Sequence, residues 1–330
     1  MPAPDGHGAP GIAGHPGEAP AEDPGAKRHH ASAAGFVPPE RATIDLHTHT
    51  LRSDGLLTPA ELVAAAAAVG IRILAITDHD TLAGVRELRR DGSIPARLEV
   101  VPGIEINSVL GEERREIGEG EVHVLGLGVD PDDDDLEAAL AQQRNARRVR
   151  FERMIGKLRA LGLPVDAALE TLPTTSDEDA LGRPRIARAM IAAGYVSSVE
   201  EAFDLHLSRG RPAYEPRLGL GPIDAIRAIR ASGGLPSLAH FAEAPEHLGF
   251  LRELVDAGLG GLEVHYRAYD VKTVRALRAI ANDLRLVITG GSDYHGDGEA
   301  YDEAHAQLWF PSDLEGQLRE GLGAARAAHV

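Results

Sequence analysis

The chain reads as an α/β protein: a parallel sheet or barrel carrying a helical insertion. Three observations lead there. From Ala42 onward, short β-rich runs alternate with helical runs, the pattern of strands joined by crossover helices. Residues 134–215 break that rhythm with helical patterns alone. The strand runs also end on His, Asp or Glu, as expected where the C-terminal ends of barrel strands converge on one polar rim.

The elements follow in order. ATIDLH is the first strand candidate. The helix TPAELVAAAAAVG is opened by Thr58 as a cap with Pro59 in the first turn, and Gly70 closes it. IRILAIT, RLEVVPGIEI and EVHVLGLGV are the next strands. DLEAALAQQRNARRVRFERMIGKLRALG then predicts one long helix, with Asp132 to Asp135 at its start, where negative charge suits the helix dipole. Two shorter helices are expected in RPRIARAMIAAG and SVEEAFDLHL. The strand rhythm returns with GGLPSLAH, LGGLEVHY and LRLVITGGSD. Residues 1–40 are rich in Pro, Gly, Ala and His and poor in large apolar side chains, so they are expected to be a disordered tail, with His7, His15, His29 and His30 in it. The division is therefore 1–40 tail, 41–133 first part of the barrel, 134–215 helical insertion and 216–330 second part of the barrel.

Composition narrows the chemistry. With no cysteine, disulfides, thiolate metal sites and a Cys nucleophile are excluded. A metal site must be built from imidazole and carboxylate. A formal charge of −17, from 51 acidic and 34 basic side chains, repels nucleic acid at long range and argues against a duplex-binding surface. No apolar run spans a bilayer, and the N-terminal residues lack the basic-then-apolar order of a secretory signal, so a cytoplasmic protein without membrane association is expected.

The ionisable residues at strand ends carry the functional signal. His47 and His49 alternate around Thr48 and share one face of the first strand. Asp54 follows in LRSDG, Asp78 and His79 in TDHD, Glu105 in PGIEIN and His123 in EVHVLG. His240 ends SLAH, and Asp293 and His295 end GGSDYH. Any one of them could be a cap or a satisfied core group. Burying all of them around one cavity would cost several kcal/mol each without compensation, and divalent cations would offset that cost. Imidazole plus carboxylate suits Zn, Mn or Fe, and metals about 4 Å apart can clamp a phosphoryl group. His206, His247, His265, His305 and His329 match no motif and are expected to be structural or exposed.

The run IDLHTHTLRSDGLLTPAELVAAAAAVGIRILAITDHDT, followed in order by GIEI, VHVLGLGVD, LAH and GSDYH, resembles the PHP (polymerase and histidinol phosphatase) family. It is most similar to the stand-alone bacterial members that act as 3′,5′-nucleoside bisphosphate phosphatases and short-RNA 5′→3′ exonucleases. The likeness runs from about Ile44 to Pro311 and includes the insertion. It implies a distorted (β/α)7 barrel and two to three divalent transition metals, Mn, Fe or Zn. The first metal would take His47, His49, Glu105 and Asp293; the second would share Glu105 and add His123 and His240; the third would take Asp54, His79 and His295. Asp293, His295, Glu105 and His79 are the implied catalytic residues, and Asp45 and Asp78 would orient imidazoles. The nucleophile would be a metal-bridging hydroxide, so no phosphoenzyme is expected. Three divalent ions would bring about +6 against about −3 from Asp54, Glu105 and Asp293, enough to draw a phosphomonoester through an acidic surface. Two positions depart from the family pattern: Phe241 stands where Pro usually follows the LAH histidine, and Arg185 stands where the insertion often has His.

Substrate contacts are expected from the insertion: Arg144, Asn145 and Arg147 in QQRNARR, and Arg211 and Tyr214 in GRPAY, with Arg185 a further phosphate candidate. The expected partner is a small nucleotide bisphosphate, with short RNA as a second substrate. The alternatives are a phosphatase of another small phosphomonoester such as histidinol phosphate, and a non-catalytic metal- or nucleotide-binding module.

Overall fold

The computed structural model describes residue 38 and residues 40–329, apart from 174–175, 177–178 and 297–298. The expectation of a disordered tail therefore falls almost entirely outside the described residues. Seven strands form one sheet whose spatial order is the chain order: β1 (Ile44–Asp45), β2 (Ile73–Ile76), β3 (Glu99–Val109), β4 (Glu121–Leu127), β5 (Leu235–Leu238), β6 (Gly261–Tyr266) and β7 (Val287–Gly291). The sheet curls until β7 meets β1. Leu46 N donates to Gly290 O at 3.1 Å, Asp293 N to His47 O at 2.8 Å and His49 N to Tyr294 O at 3.0 Å. The seam is tight enough to require glycine, since a Cβ on Gly291 would lie 2.4 Å from the His47 Cβ.

The parallel expectation needs one correction. β1–β2–β3 and β5–β6–β7 are parallel, but β4 runs antiparallel to both of its neighbours. The reason is the connection. Only residues 110–120, with two short 3-10 turns, link β3 to β4, too few for a crossover helix, so the pair closes as a hairpin. This reversal puts His123, near the start of β4, at the rim where the other strands end.

Helices clothe the barrel. Thr58 caps α1 (Pro59–Ala68) in a reciprocal box with Glu61, and Gly70 leaves the helix at φ 95°, as the sequence predicts. α2 (Ala83–Asp91) follows β2. In the insertion, α3 (Asp134–Ala160) is a single 27-residue helix, capped by Asp133 accepting from Leu136 N. α4 (Asp166–Thr171), α5 (Arg183–Ala192) and α6 (Val199–Ala202) follow, α6 running on into a π-helical turn over Phe203–Leu207. The sequence reading missed α4 and took α6 with its π turn as one helix. α7 (Pro222–Ala231), α8 (Leu248–Asp256), α9 (Val271–Asp283), α10 (Tyr301–Gln307) and α11 (Glu315–Ala327) complete the outer layer.

Three apolar clusters result among the described residues, one of them packing Leu62, Val63, Leu74, Ile76, Val85 and Leu88 between α1, β2 and α2. The barrel core takes Ile44, Ile104, Ile106, Val124, Leu238, Leu262 and Ile288 from the strands and Ile226, Leu251, Leu277 and Leu318 from the helices. The insertion buries Phe151, Met154, Leu158, Ile186, Met190 and Leu207 in a cluster of its own. No helix among the described residues is long and apolar enough to cross a membrane.

Candidate metal centre

The barrel rim gathers the predicted ligands into one cluster, buried except at His240, which is part-exposed. His47 and His49 arrive on the chain leaving β1, His79 follows β2, Glu105 lies inside β3, His123 near the start of β4, His240 just beyond β5, and Asp293 and His295 just beyond β7. Four atoms converge first: His47 Nε2 and His49 Nε2 lie 3.3 Å each from Glu105 Oε2, and 3.3 and 3.1 Å from Asp293 Oδ1. A second group joins His49, Asp54, His79 and His295, with His295 Nε2 3.2 Å from Asp54 Oδ1. A third joins His79, Glu105 and His123, with His123 Nδ1 2.6 Å from Glu105 Oε1. The first and second groups hold the residues expected of the first and third metals, the second gaining His49. The third group differs from expectation in taking His79 where His240 was placed, because His79 sits between the groups, 2.9 Å from Glu105 and 3.6 Å from Asp54. His240 is still in reach, its Nε2 3.2 Å from Glu105 Oε1.

These atoms fit cations better than they fit one another. His47 Nε2, both ring nitrogens of His49, His79 Nδ1, Asp54 Oδ1 and Glu105 Oε2 are fully buried and lack hydrogen bonds of proper geometry. Left so, each would carry a desolvation cost, and a divalent ion at the shared point removes it. Charge tells the same story. Burial alone would lower the His47 and His49 pKa values, but carboxylates outweigh it: Glu263, Asp293 and Glu105 hold His47 well above the usual range, and Asp293 and Glu105 hold His49 at about 10. Burial would raise Asp54, Glu105 and Asp293, yet the facing imidazoles hold all three well below ordinary carboxylates. Burial instead lowers His79, and metal ions would take the positions between these imidazoles and carboxylates in place of protons. Backbone strain marks the same rim: of the four non-glycine residues at positive φ among the described residues, Asp80 (50°), His240 (31°) and Asp293 (50°) belong to it.

Residues 45–181 match the model of the PHP domain. The chain is 32% identical over 277 residues to the Escherichia coli 5′-3′ exoribonuclease Rnm, covering 82% of this chain and 91% of that one. The chain belongs to the PHP domain family. This PHP chain is also 30% identical over 270 residues to the Chromobacterium violaceum 3′,5′-nucleoside bisphosphate phosphatase, covering 78% of this chain and 89% of the relative. Its fold matches that of a Bifidobacterium adolescentis protein described as a metal-dependent phosphoesterase, at TM-score 0.72 and 30% identity over 87% of this chain and 97% of the other. It is accordingly a phosphoesterase, with clustered His, Asp and Glu residues able to bind several metals.

Several supporting roles differ from expectation. Asp45 accepts from Ser292, Tyr301 and the His47 backbone, and Asp78 from Thr50 and Ser53, so both bind loop backbone and hydroxyls instead of aiming imidazoles. The group against the His47 Nδ1 is Glu263 on β6, at 3.0 Å, which the sequence reading missed. A lone acid inside the apolar run GLEVHY was its signal. Asp80 was also missed. It binds Arg147 Nε at 2.5 Å and the Asn107 backbone, while its carbonyl accepts from Arg144.

The insertion candidates divide. Arg144 and Arg147 reach the rim, but on protein partners: Arg144 on Asp80 O and Glu137, Arg147 on Asp80 and Asn107, whose amide in turn meets His123. Asn145 is exposed on the far side of α3, because the buried stripe of that helix runs through 143, 144, 147, 150 and 154. Arg211 is exposed as well, and no side-chain bond brings it to the site. Arg185 donates to Pro173 O. Tyr214 lies beneath the Arg150 guanidinium, 5.7 Å from it. Further basic groups lie around the centre: Arg188 donates to Asp54 O at 2.7 Å, and Arg150, Arg183 and Arg217 surround Glu121. Arg217 lies 3.2 Å from Glu121 and 3.9 Å from Asp80. Burial, then Arg183 and Arg217, lower the Arg150 pKa to about 9, against the opposing pull of Glu121. Gly182 sits between Arg147 and the Asp54 group: a Cβ there would be 3.8 Å from both Arg147 Nη1 and Asp54 Oδ2.

Proposed function

We propose that this PHP phosphoesterase removes the 3′-phosphate of nucleoside 3′,5′-bisphosphates, converting adenosine 3′,5′-bisphosphate to AMP and phosphate. The observation that carries the reading is the pairing of two anion-attracting features: the cluster around Glu105, and the three arginines, Arg150, Arg183 and Arg217, gathered around Glu121 near it. A substrate with a phosphate at each end of a nucleoside matches that pairing. The likeness to the Chromobacterium violaceum bisphosphate phosphatase supports the substrate, and the likeness to the Escherichia coli exoribonuclease supports a second one, short RNA, whose 5′-phosphate presents the same terminal dianion.

In this reading His47, His49, Asp54, His79, Glu105, His123, His240, Asp293 and His295 hold two or three divalent ions, with Mn, Fe and Zn all suited to the ligand set. Bound there, the ions would lower the pKa of water and polarise the phosphoryl oxygens. The chain's own part is to position. Glu105, shared between groups, fixes their spacing, and Asp293, His295 and His79 hold the reacting phosphate's surroundings in register. The arginines clamp the other phosphate, so that remote binding energy orients the reacting one. Water oxygen joins phosphorus as the bond to the 3′ oxygen breaks.

Phosphate release in the presence of Mn, compared across adenosine 3′,5′-bisphosphate, 3′-AMP, a 5′-phosphorylated trinucleotide and histidinol phosphate, tests this. The bisphosphate should exceed 3′-AMP in kcat/KM by about 10- to 100-fold, the worth of one charge-assisted contact pair. Arg183→Ala and Arg217→Ala should narrow that gap. Equal values for the two nucleotides would refute the clamp, and faster turnover of histidinol phosphate would overturn the substrate class.

A further inference from the structure

β6 contributes none of the expected metal ligands, yet two of its side chains touch them. Glu263 faces two donors at once: its Oε1 lies 3.0 Å from His47 Nδ1, and its Oε2 accepts the His240 backbone N–H at 2.6 Å. Tyr266 donates its hydroxyl to Asp293 Oδ2 at 3.1 Å. In an unbroken strand, residues three apart point to opposite faces. Here the pairing of β6 with β7 slips by one: Glu263 opposes Thr289, but His265 opposes Gly290 and Tyr266 opposes Gly291. Thr289 and Gly291 share a face, so the extra residue, Val264, returns Tyr266 to the face of Glu263. Such bulges are used to re-aim a side chain beside a site. The cost falls on the outer side, where His265 turns away to pack on Trp309 and Phe310.

We propose that the β6 bulge makes Glu263 and Tyr266 a pair of positioning residues that aim His47 Nε2 and Asp293 Oδ1 at one point. The proposal rests on the ion-binding reading above. A ring nitrogen bound to a carboxylate presents its other nitrogen outward in a fixed tautomer and orientation. With Nδ1 held by Glu263, only Nε2 of His47 can face Glu105 and Asp293. With Oδ2 held by Tyr266, Oδ1 is the Asp293 oxygen left facing His47 and His49. A carboxylate is required at Glu263 because both facing groups donate. The amide introduced by Glu263→Gln would offer one acceptor and set an NH2 against the other donor. The same acceptor also steadies His240 in its left-handed conformation.

The test uses the full chain, freed of metal by chelator and titrated with MnCl2, reading free Mn²⁺ by electron paramagnetic resonance. Glu263→Gln and Tyr266→Phe should each weaken Mn²⁺ binding by about 10- to 100-fold, the range for groups that orient a ligand. Phosphate release should recover as Mn²⁺ is raised, with kcat returning nearer to the unsubstituted value than in His49→Ala, which removes a ligand. Tyr266→Phe keeps the ring and its packing, so it decides the matter should Glu263→Gln fail to fold. Unchanged Mn²⁺ affinity in Tyr266→Phe together with unchanged or folding-limited behaviour in Glu263→Gln would overturn the positioning role. An unsubstituted protein that binds no Mn²⁺, Zn²⁺ or Fe²⁺ would instead overturn the ion-binding reading itself.

Discussion

Glu105 is where single residues matter most, since its two oxygens face His47, His49, His79, His123 and His240. Removing it would leave five imidazoles without their common anion. Glu105→Gln, His49→Ala and Asp293→Ala are each expected to lower kcat by at least about 100-fold, beyond the 10- to 100-fold typical of groups that only support a ligand. Initial-rate kinetics at saturating Mn would check this. A loss under tenfold in all three would remove the cluster from the reaction. His265 shows a residue effect of another kind. Burial, with Arg278 adding to it, lowers its folded pKa to about 4. A folded state that binds fewer protons than the unfolded one loses stability as pH falls, here from about 6.5 downward. By pH 5 the loss should reach about 2 kcal/mol. Urea midpoints at pH 7.5 and pH 5 should therefore fall further in the natural protein than in His265→Leu, and equal falls would show that His265 is not responsible.

Among the elements, β7 and β1 depend on their closest approach. Gly291→Ala would push a methyl group against His47, so it should cost about 1–3 kcal/mol as an overpacked site and also shift a metal-binding residue. Thermal unfolding and Mn²⁺ titration of that variant should move together; a lowered midpoint with unchanged Mn²⁺ affinity would show that β1 yields without disturbing His47. The α1 cap is a milder case, and Thr58→Ala should cost about 1 kcal/mol with no change in kcat. Elements such as these were legible in sequence because their signals are local. Thr58-Pro59 with Gly70 marks a helix, and HTH followed by SD, TDHD and GSDYH marks strand ends. The direction of β4 was not legible, because it depends on a connection length and on which neighbours it finds. Glu263 and Tyr266 were hidden for a related reason: strict alternation puts them on opposite faces, and only the slip at Val264 unites them. Arg183 and Arg217 could not be told from Arg185 and Arg211, since which arginine turns inward is settled by packing of α5 and the chain before α7.

At the scale of the whole molecule, the rim residues come from every strand region except β6, so an ion held there ties the two ends of the chain and the middle of the barrel together. Ions that bind only the folded state stabilise it by about 2.7 kcal/mol at a hundredfold excess over Kd. Calorimetry should then show Tm falling by about 5 °C or more in chelator and returning with Mn. An unchanged Tm would mean that no ion of such affinity binds. The backward course of β4 has a last consequence. Its chain leaves the barrel at the end away from the rim, near Arg86 and Arg89 of α2, which meet Pro131 and Asp132. α3 must then climb the barrel wall, about 20 Å from Asp134 to Arg147 at about 1.5 Å per residue, before rising about as far again above the rim. It works as a surveyor's staff planted at the base, on which Arg144 and Arg147 are marks read against Asp80. One residue inserted between Asp134 and Gln143 would turn those marks by about 100° and lift them by about 1.5 Å, whereas one inserted after Met154 would leave them in place.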